Sequence, residues 1–205
     1  LGMLAQDQGD YAEARRLYGE SLEINRALGD RAGVAISLHQ LGTLVQDEGD
    51  YTEARRLYEE SLEINRGLGD RAGVARLLHH EGILAQAQGD YTEARRLYGE
   101  AAEVFEALGA PSEQAAVLHN LGSVAYLQGD YAEARWLYEK SLEIARALGD
   151  RAGVAKTLHQ LGRLAEEDGD LDKAERLFAE SLETFEALHS PNADIARESL
   201  ERVRG

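Results

Sequence analysis

The chain has 205 residues, no cysteine and a formal net charge of −16 at pH 7. The absence of cysteine excludes disulfides, thiol catalysis and thiolate metal sites, and it favours a cytoplasmic location. The negative charge argues against nucleic acid or anionic lipid as a partner, because both are themselves negatively charged. No apolar run approaches the roughly 18 residues of a membrane span, so we expect no membrane insertion.

The sequence repeats itself with a period of 40 residues. Residues 11–50 and 51–90 differ at only 11 of 40 positions, and residues 91–130 and 131–170 follow the same pattern. Such a period indicates an array of equivalent structural repeats. We therefore predict a single array over residues 1–205, made of a partial unit at 1–30, full helix pairs at 31–70, 71–110, 111–150 and 151–190, and a capping helix at 191–205.

Each repeat contains two amphipathic segments with clear boundaries. Leu38, Leu41 and Leu44 mark an apolar stripe on the first segment, and Ala54 with Tyr58 marks one on the second. Glycine followed by aspartate, as in GDYTE at 49–53 and GD at 69–70, predicts a helix end and the cap of the next helix. The glutamate at 53 predicts a capping box with the aspartate three residues before it.

Two helices joined by such short turns must pack antiparallel, and one pair cannot bury both of its faces. Stacking successive pairs buries them in one core, so the fold class is predicted to be an all-α solenoid of antiparallel helix pairs. No alternating β-branched pattern supports strands.

The length of 40 residues alone would also suit a HEAT-type repeat, but the residues favour another family. The segment LHNLG at 118–122, followed by Gly129, Tyr131, Ala134, Tyr138 and Leu142, resembles the tetratricopeptide repeat. The longer period is similar to the 40-residue subclass found in cell-polarity adaptors and in bacterial signal-transduction ATPases and transcription regulators. This resemblance implies a right-handed superhelix whose first helices line a concave face that binds a peptide or protein.

The repeats differ most on their first helices, whereas the second helices are nearly copies, as in YAEARRLYGESLEI and YTEARRLYEESLEI. This contrast predicts a constant scaffold with a tailored groove, although chance change after a recent duplication would also produce differences. The candidate groove residues are Ile36, His39, Thr43, Gln46, Arg76, His79, Ile83, Gln86, His119, Ser123, Tyr126, Lys156, His159 and Arg163.

A histidine recurs at 39, 79, 119 and 159, always three residues before a glycine. Metal ligands must converge on one ion, whereas equivalent side chains of a solenoid form a parallel row, so we expect no metal site. Catalytic bases would need a nucleophile nearby, and none is recognisable. Groove lining or packing between repeats remains, with pH-sensitive binding between about 5 and 8 as a hypothesis.

Two substitutions interrupt the pattern. In LHHEG at 78–82, His80 replaces an amide and Glu81 replaces a leucine that should face the core, so Glu81 either pairs with a neighbour or is a tolerated flaw. Trp136 replaces an arginine on a charged face, where it is either a lone exposed aromatic or part of an interface.

We therefore expect a non-enzymatic interaction scaffold without a cofactor, belonging to a larger signalling or regulatory protein. Its expected partner is a peptide or protein segment in the groove. The alternative is a structural array that associates with itself end to end through its N-terminal repeat.

Overall fold

The computed structural model describes residues 2–205, apart from the Asp7 side chain. Over this part of the chain the backbone is entirely helix and turn, and no helix in it is long and apolar enough to cross a membrane. The helices are α1 (Gly2–Asp7), α2 (Tyr11–Leu28), α3 (Arg31–Asp47), α4 (Tyr51–Leu68), α5 (Arg71–Ala87), α6 (Tyr91–Leu108), α7 (Pro111–Leu127), α8 (Tyr131–Leu148), α9 (Arg151–Glu167), α10 (Leu171–Ala187) and α11 (Asn192–Arg204).

The chain forms two compact units, an N-terminal unit at Leu1–Val104 and a C-terminal unit at Phe105–Gly205. In the N-terminal unit each of α1 to α4 contacts the helix that follows it, and α3 also contacts α5. In the C-terminal unit the same holds for α7 to α10, and α7 also contacts α9. This arrangement confirms the predicted all-α class of stacked helix pairs.

The turns use the glycines and aspartates that the sequence indicated. Gly69 ends α4 in the left-handed conformation with a φ of 72°, which a residue with a side chain rarely adopts. Asp50 caps α4, because its carboxylate accepts a hydrogen bond from the backbone N–H of Glu53 at 3.1 Å.

The predicted capping box is wrong in its second half. The backbone N–H of Asp50 donates to the carbonyl of Val45 at 3.1 Å, so it is not available to the Glu53 side chain. The Glu53 carboxylate instead pairs with Arg56, at 2.6 Å in its shorter contact. A glutamate one turn before an arginine satisfies its charge on the helix surface.

The core of each repeat is built around a close approach between the first helix and an aromatic ring of the second. Tyr58 is fully buried on α4, and its ring lies against Gly42 of α3. A Cβ atom added at Gly42 would lie 2.5 Å from the Tyr58 ring, far inside van der Waals contact. The same pair recurs as Tyr18 against Gly2, Tyr98 against Gly82, Tyr138 against Gly122 and Phe178 against Gly162.

We predict that Gly42→Ala destabilises the protein by about 1–3 kcal/mol, because the methyl group must displace a buried ring in a close-packed core. Gly19→Ala is the matched control, since Gly19 also lies inside a helix but an added Cβ would meet no atom within 4 Å. There the better helix propensity of alanine should stabilise by about 0.5–1 kcal/mol. Urea unfolding measures both, and equal effects of the two substitutions would contradict the packing argument.

Glu81 places a carboxyl group at a core position where the equivalent repeats have an apolar residue. The equivalent leucines, Leu41 and Leu161, are buried, and Glu81 places its Oε1 atom out of solvent without a hydrogen-bond partner. Burial, and then the charge of Glu59, raise the pKa of Glu81 above its usual range. The predicted alternative of direct pairing is therefore not observed, and the helix tolerates a carboxyl group where a leucine fits.

Glu81→Leu should stabilise the protein by about 1–2 kcal/mol at pH 7, because it restores apolar burial and removes a desolvated carboxylate. A raised folded-state pKa contributes stability only at low pH, which is lost as the pH rises through that pKa. The gain from leucine should therefore be larger at pH 7 than at pH 4. Glu63→Leu, at an exposed position of α4, is the control. A gain that does not change with pH would contradict this account.

Candidate binding face

The candidate residues lie on one face of the first helices and differ in how far they are buried. Ile36, Arg76, Ala116 and Lys156 occupy the equivalent outermost position of α3, α5, α7 and α9, and all four are exposed. The four repeated histidines and the positions of Thr43, Ile83, Ser123 and Arg163 are half-buried. One position that differs in every repeat is thus fully open to a ligand in each unit, and a second is partly open.

Part of the predicted set is engaged in holding the second helix. In the N-terminal unit the hydroxyl of Tyr58 donates to Gln46 Oε1 at 3.0 Å, and that of Tyr98 donates to Gln86 Oε1 at 3.0 Å. The Tyr58 hydroxyl also lies 3.3 Å from Thr43 Oγ1. Because the tyrosine rings are buried, these bonds satisfy hydroxyl groups that would otherwise lack partners.

The C-terminal unit connects the same positions differently. Tyr126 stands where the preceding repeats have glutamine, and Tyr138 donates instead to Ser123 Oγ at 3.1 Å. The Tyr126 hydroxyl donates to Glu167 at 2.9 Å, and its ring lies under the Arg163 guanidinium at 4.4 Å from the ring centre. A cation over an aromatic face is attracted by the ring quadrupole, so this contact orients Arg163.

The repeated histidines pack between helices. His39 lies 5.9 Å from the Tyr58 ring and 4.8 Å from the His80 ring, centre to centre, and His79 lies 5.7 Å from Tyr98. The extra imidazole of His80 thereby joins the His39 and Tyr58 rings in the N-terminal unit.

In the C-terminal unit, His119 Nδ1 lies 3.1 Å from Thr157 Oγ1, and His159 Nε2 lies 3.1 Å from Ser199 Oγ. Each bond links one first helix to the next, so these histidines join neighbouring repeats. Among residues 2–205, no three histidine or carboxylate side chains converge as metal ligands.

Burial lowers the pKa of each of these histidines to about 4, because the cationic form loses its hydration. The positive charge of His80 and Arg76 lowers the pKa of His39 further, and Lys156 does so for His119. These pKa values argue against a histidine-dependent pH response of partner binding between 5 and 8, which stays a prediction. The imidazoles are neutral throughout that range and contribute no positive charge to the binding face.

Grooves open between neighbouring first helices. In the N-terminal unit a groove of about 300 Å³ runs between α3 and α5, past Ile36, His39 and Arg76. In the C-terminal unit one of about 340 Å³ lies between α7 and α9, and one of about 320 Å³ lies between α9 and α11. His119 and Lys156 line both grooves of the C-terminal unit.

Sequence reasoning missed the contribution of α11 and of several polar residues. Asn192 and Ile195 of α11 line the last groove, and Thr157 and Ser199 hold the histidines. The helix α11 was expected only as a cap, because its sequence no longer follows the repeat. The exposure of Ile195, which places an apolar side chain on this surface, is visible only in the structure.

The outer faces of the second helices carry exposed ion pairs. Arg16 pairs with Glu13 at 2.6 Å and Glu20 at 2.5 Å, and Arg96 repeats this with Glu93 and Glu100. Such exposed pairs are individually worth a few tenths of a kcal/mol. Trp136 takes the arginine position in α8 and is 56% exposed, without an aromatic neighbour in contact among the described residues.

We predict that His119 makes the protein acid-sensitive. Burial lowers the pKa of His119 from 6.5 in the unfolded chain to about 4 in the folded one. The stability that neutral His119 contributes is therefore complete above pH 6.5 and is lost as the pH falls to 4. The loss amounts to about 3 kcal/mol at most. In His119→Asn, the fall in urea stability between pH 7 and 4 should be smaller by that amount.

His189→Asn is the control, because His189 is exposed and its φ of 50° suits asparagine. This variant should retain the full acid sensitivity of the original protein. An undiminished fall in His119→Asn would show that His119 is not buried in its neutral form.

Comparison with known proteins agrees with this geometry. The family model described as tetratricopeptide repeat matches residues 1–66, 38–107 and 113–187. None of the curated proteins matches the sequence significantly.

Solved structures share the fold at low identity. BtubC (BKLC) from P. vanneervenii is 22% identical, with a TM-score of 0.80 over 94% of this chain and 82% of that one. A putative kinesin light chain with TPR-like repeats from Podosopora anserina is 22% identical, with a TM-score of 0.69 over 90% of this chain and 91% of that one.

A Rap protein complexed with competence and sporulation factor is 18% identical, with a TM-score of 0.73 over 99% of this chain and 61% of that one. These structures share stacked helix pairs with the present chain, and the family model covers most of its length. The chain belongs to the tetratricopeptide repeat family.

Proposed function

We propose that the chain is a non-catalytic interaction scaffold that binds a peptide or protein segment on the exposed face of its first helices, as part of a signalling or regulatory system. The observation that carries the proposal is where the repeats differ. Ile36, Arg76, Ala116 and Lys156 share one exposed position and differ in size and charge, whereas Glu13, Glu53, Glu93 and Glu133 are identical on the second helices.

The grooves support this assignment. Each is a shallow channel between neighbouring first helices, lined by one or two of the repeated histidines and by side chains specific to that repeat. A channel that combines constant residues with residues that change from repeat to repeat suits an extended segment whose side chains are recognised one by one. Fold relatives support binding as a class of activity, since a Rap protein of this fold is known in complex with competence and sporulation factor.

The two units are tested separately. Twelve-residue peptides selected by display on the immobilised protein should bind in solution by isothermal titration. Arg76→Ala tests the N-terminal unit, and Tyr126→Ala combined with Arg163→Ala tests the C-terminal unit. We expect one of these variants to weaken a selected peptide at least about tenfold, because interface energy is concentrated in a few arginine and aromatic side chains.

The control combines Arg56→Ala, Arg96→Ala and Trp136→Ala on the outer faces of the second helices, and it should change affinity less than about twofold. The reverse pattern would place binding on the second helices and refute the proposal.

Exposed Met3, Leu4, Ile24 and Leu28 favour self-association as the second candidate function. Light scattering across protein concentration tests it. Stable association together with a failed peptide selection would favour this alternative.

A further inference from the structure

Helix α9 carries two cations on its exposed face. Lys156 and Arg163 are seven residues apart, so they lie two turns apart on one side of the helix, about 10 Å from each other. No other first helix of this type has cations at both positions: the equivalent pairs are Ile36 with Thr43, Arg76 with Ile83 and Ala116 with Ser123. The pair is therefore specific to the C-terminal unit.

Neither cation is neutralised by an ion pair within residues 2–205. This sets them apart from most arginines of the chain, including Arg76, whose guanidinium lies 3.9 Å from Asp70. The nearby carboxylates have other partners. Glu166 accepts two hydrogen bonds from Arg202, at 2.7 and 2.8 Å, and Glu167 accepts the Tyr126 hydroxyl. In a chain of net charge −16, Lys156 and Arg163 are thus two cations without an ion pair on one face of α9, although Asp150 also lines the groove between α7 and α9 beside Lys156.

Arg163 is also held in place before any ligand arrives. Its guanidinium stacks on the Tyr126 ring, and its Nη1 donates to Gln160 Oε1 at 3.0 Å. A side chain fixed in this way loses little conformational freedom on binding, which favours affinity. The planar guanidinium keeps further N–H groups for a carboxylate.

The groove of about 320 Å³ between α9 and α11 is lined by both cations. The rest of the groove is lined by polar, uncharged side chains and by two apolar ones, of which Ile195 is 55% exposed: His119, His159, Gln160, Asn192, Phe185 and Ile195. Two positive charges, neutral hydrogen-bonding groups and one exposed isoleucine thus line a single groove. This combination complements a ligand with two negative groups and an apolar side chain between them.

We propose that this groove binds an acidic peptide segment whose two carboxylates, three residues apart, contact Lys156 and Arg163 while an intervening apolar side chain packs on Ile195. In a polyproline II conformation, residues i and i+3 lie on the same side about 9 Å apart, which matches the spacing of the cations. The proposal rests on the proposed function and specifies its ligand class in the C-terminal unit.

The test uses a defined probe, the fluorescein-labelled peptide Gly-Ser-Glu-Leu-Pro-Glu-Ser-Gly, with fluorescence anisotropy as the readout. The matched peptide carries glutamine in place of both glutamates. The test variant combines Lys156→Gln with Arg163→Gln. Lys140→Gln with Arg176→Gln is the control, because it removes the same charge from exposed positions of α8 and α10.

We expect the acidic peptide to bind at least about tenfold more tightly than the glutamine peptide, and the test variant to remove that difference. The control variant should retain it within about twofold. Equal binding of the two peptides, or an unchanged preference in the test variant, would overturn the proposal. A labelled uridine octamer is the second probe, and binding of the octamer as tight as that of the acidic peptide would show that any polyanion suffices and would also overturn it.

Failure of the acidic-peptide proposal can be distinguished from failure of the proposed function. Selected peptides without paired acidic residues that still bind the first-helix face would refute the acidic ligand class alone. Failure of the selection, together with binding on the second helices, would refute both.

Discussion

The structure depends on the contact between an aromatic ring of each second helix and a glycine of the first helix before it. The ring of Tyr58 occupies the space that a side chain at position 42 would fill, which brings the two backbones close and buries the ring completely. Burial of a tyrosine is favourable only if its hydroxyl is hydrogen-bonded. Packing inside the repeat therefore requires a hydrogen-bond acceptor on the first helix near its exposed face.

That requirement links the core to the candidate binding face. Where the buried ring is Tyr58 or Tyr98, a glutamine of the first helix accepts its hydroxyl and is committed to that bond. Where Ser123 accepts the hydrogen bond of the Tyr138 hydroxyl, residue 126 is not needed as an acceptor, and the ring of Tyr126 instead supports Arg163. Where the ring is Phe178, no acceptor is needed, and Glu166 pairs with Arg202 of α11. Variation at one face position is thus partly a consequence of what lies beneath it.

This coupling explains how far the sequence alone could lead. Helix limits and the aspartate caps of the second helices follow from local pattern, because each depends on residues close in sequence and recurs from repeat to repeat. The capping box at Glu53 was wrong because a surface arginine competes for the same carboxylate. The pKa values of the histidines, and the release of Tyr126 and Glu166, depend on contacts between residues about 12 to 40 positions apart, which spacing does not reveal.

The charge of the chain and the cations of α9 act at different ranges. At physiological ionic strength, electrostatic interactions between exposed charges fade over about 8 Å, so the surplus of carboxylates provides a general repulsion of acidic chains at the surface. Lys156 and Arg163 offset that repulsion only at contact distance, where carboxylates meet both cations together. An acidic segment with the wrong spacing reaches one cation and still faces the negative surface, which gives no net gain. Selectivity for spacing follows from the contrast between an acidic surface and one small positive site, a contrast that a basic groove on a neutral protein would lack.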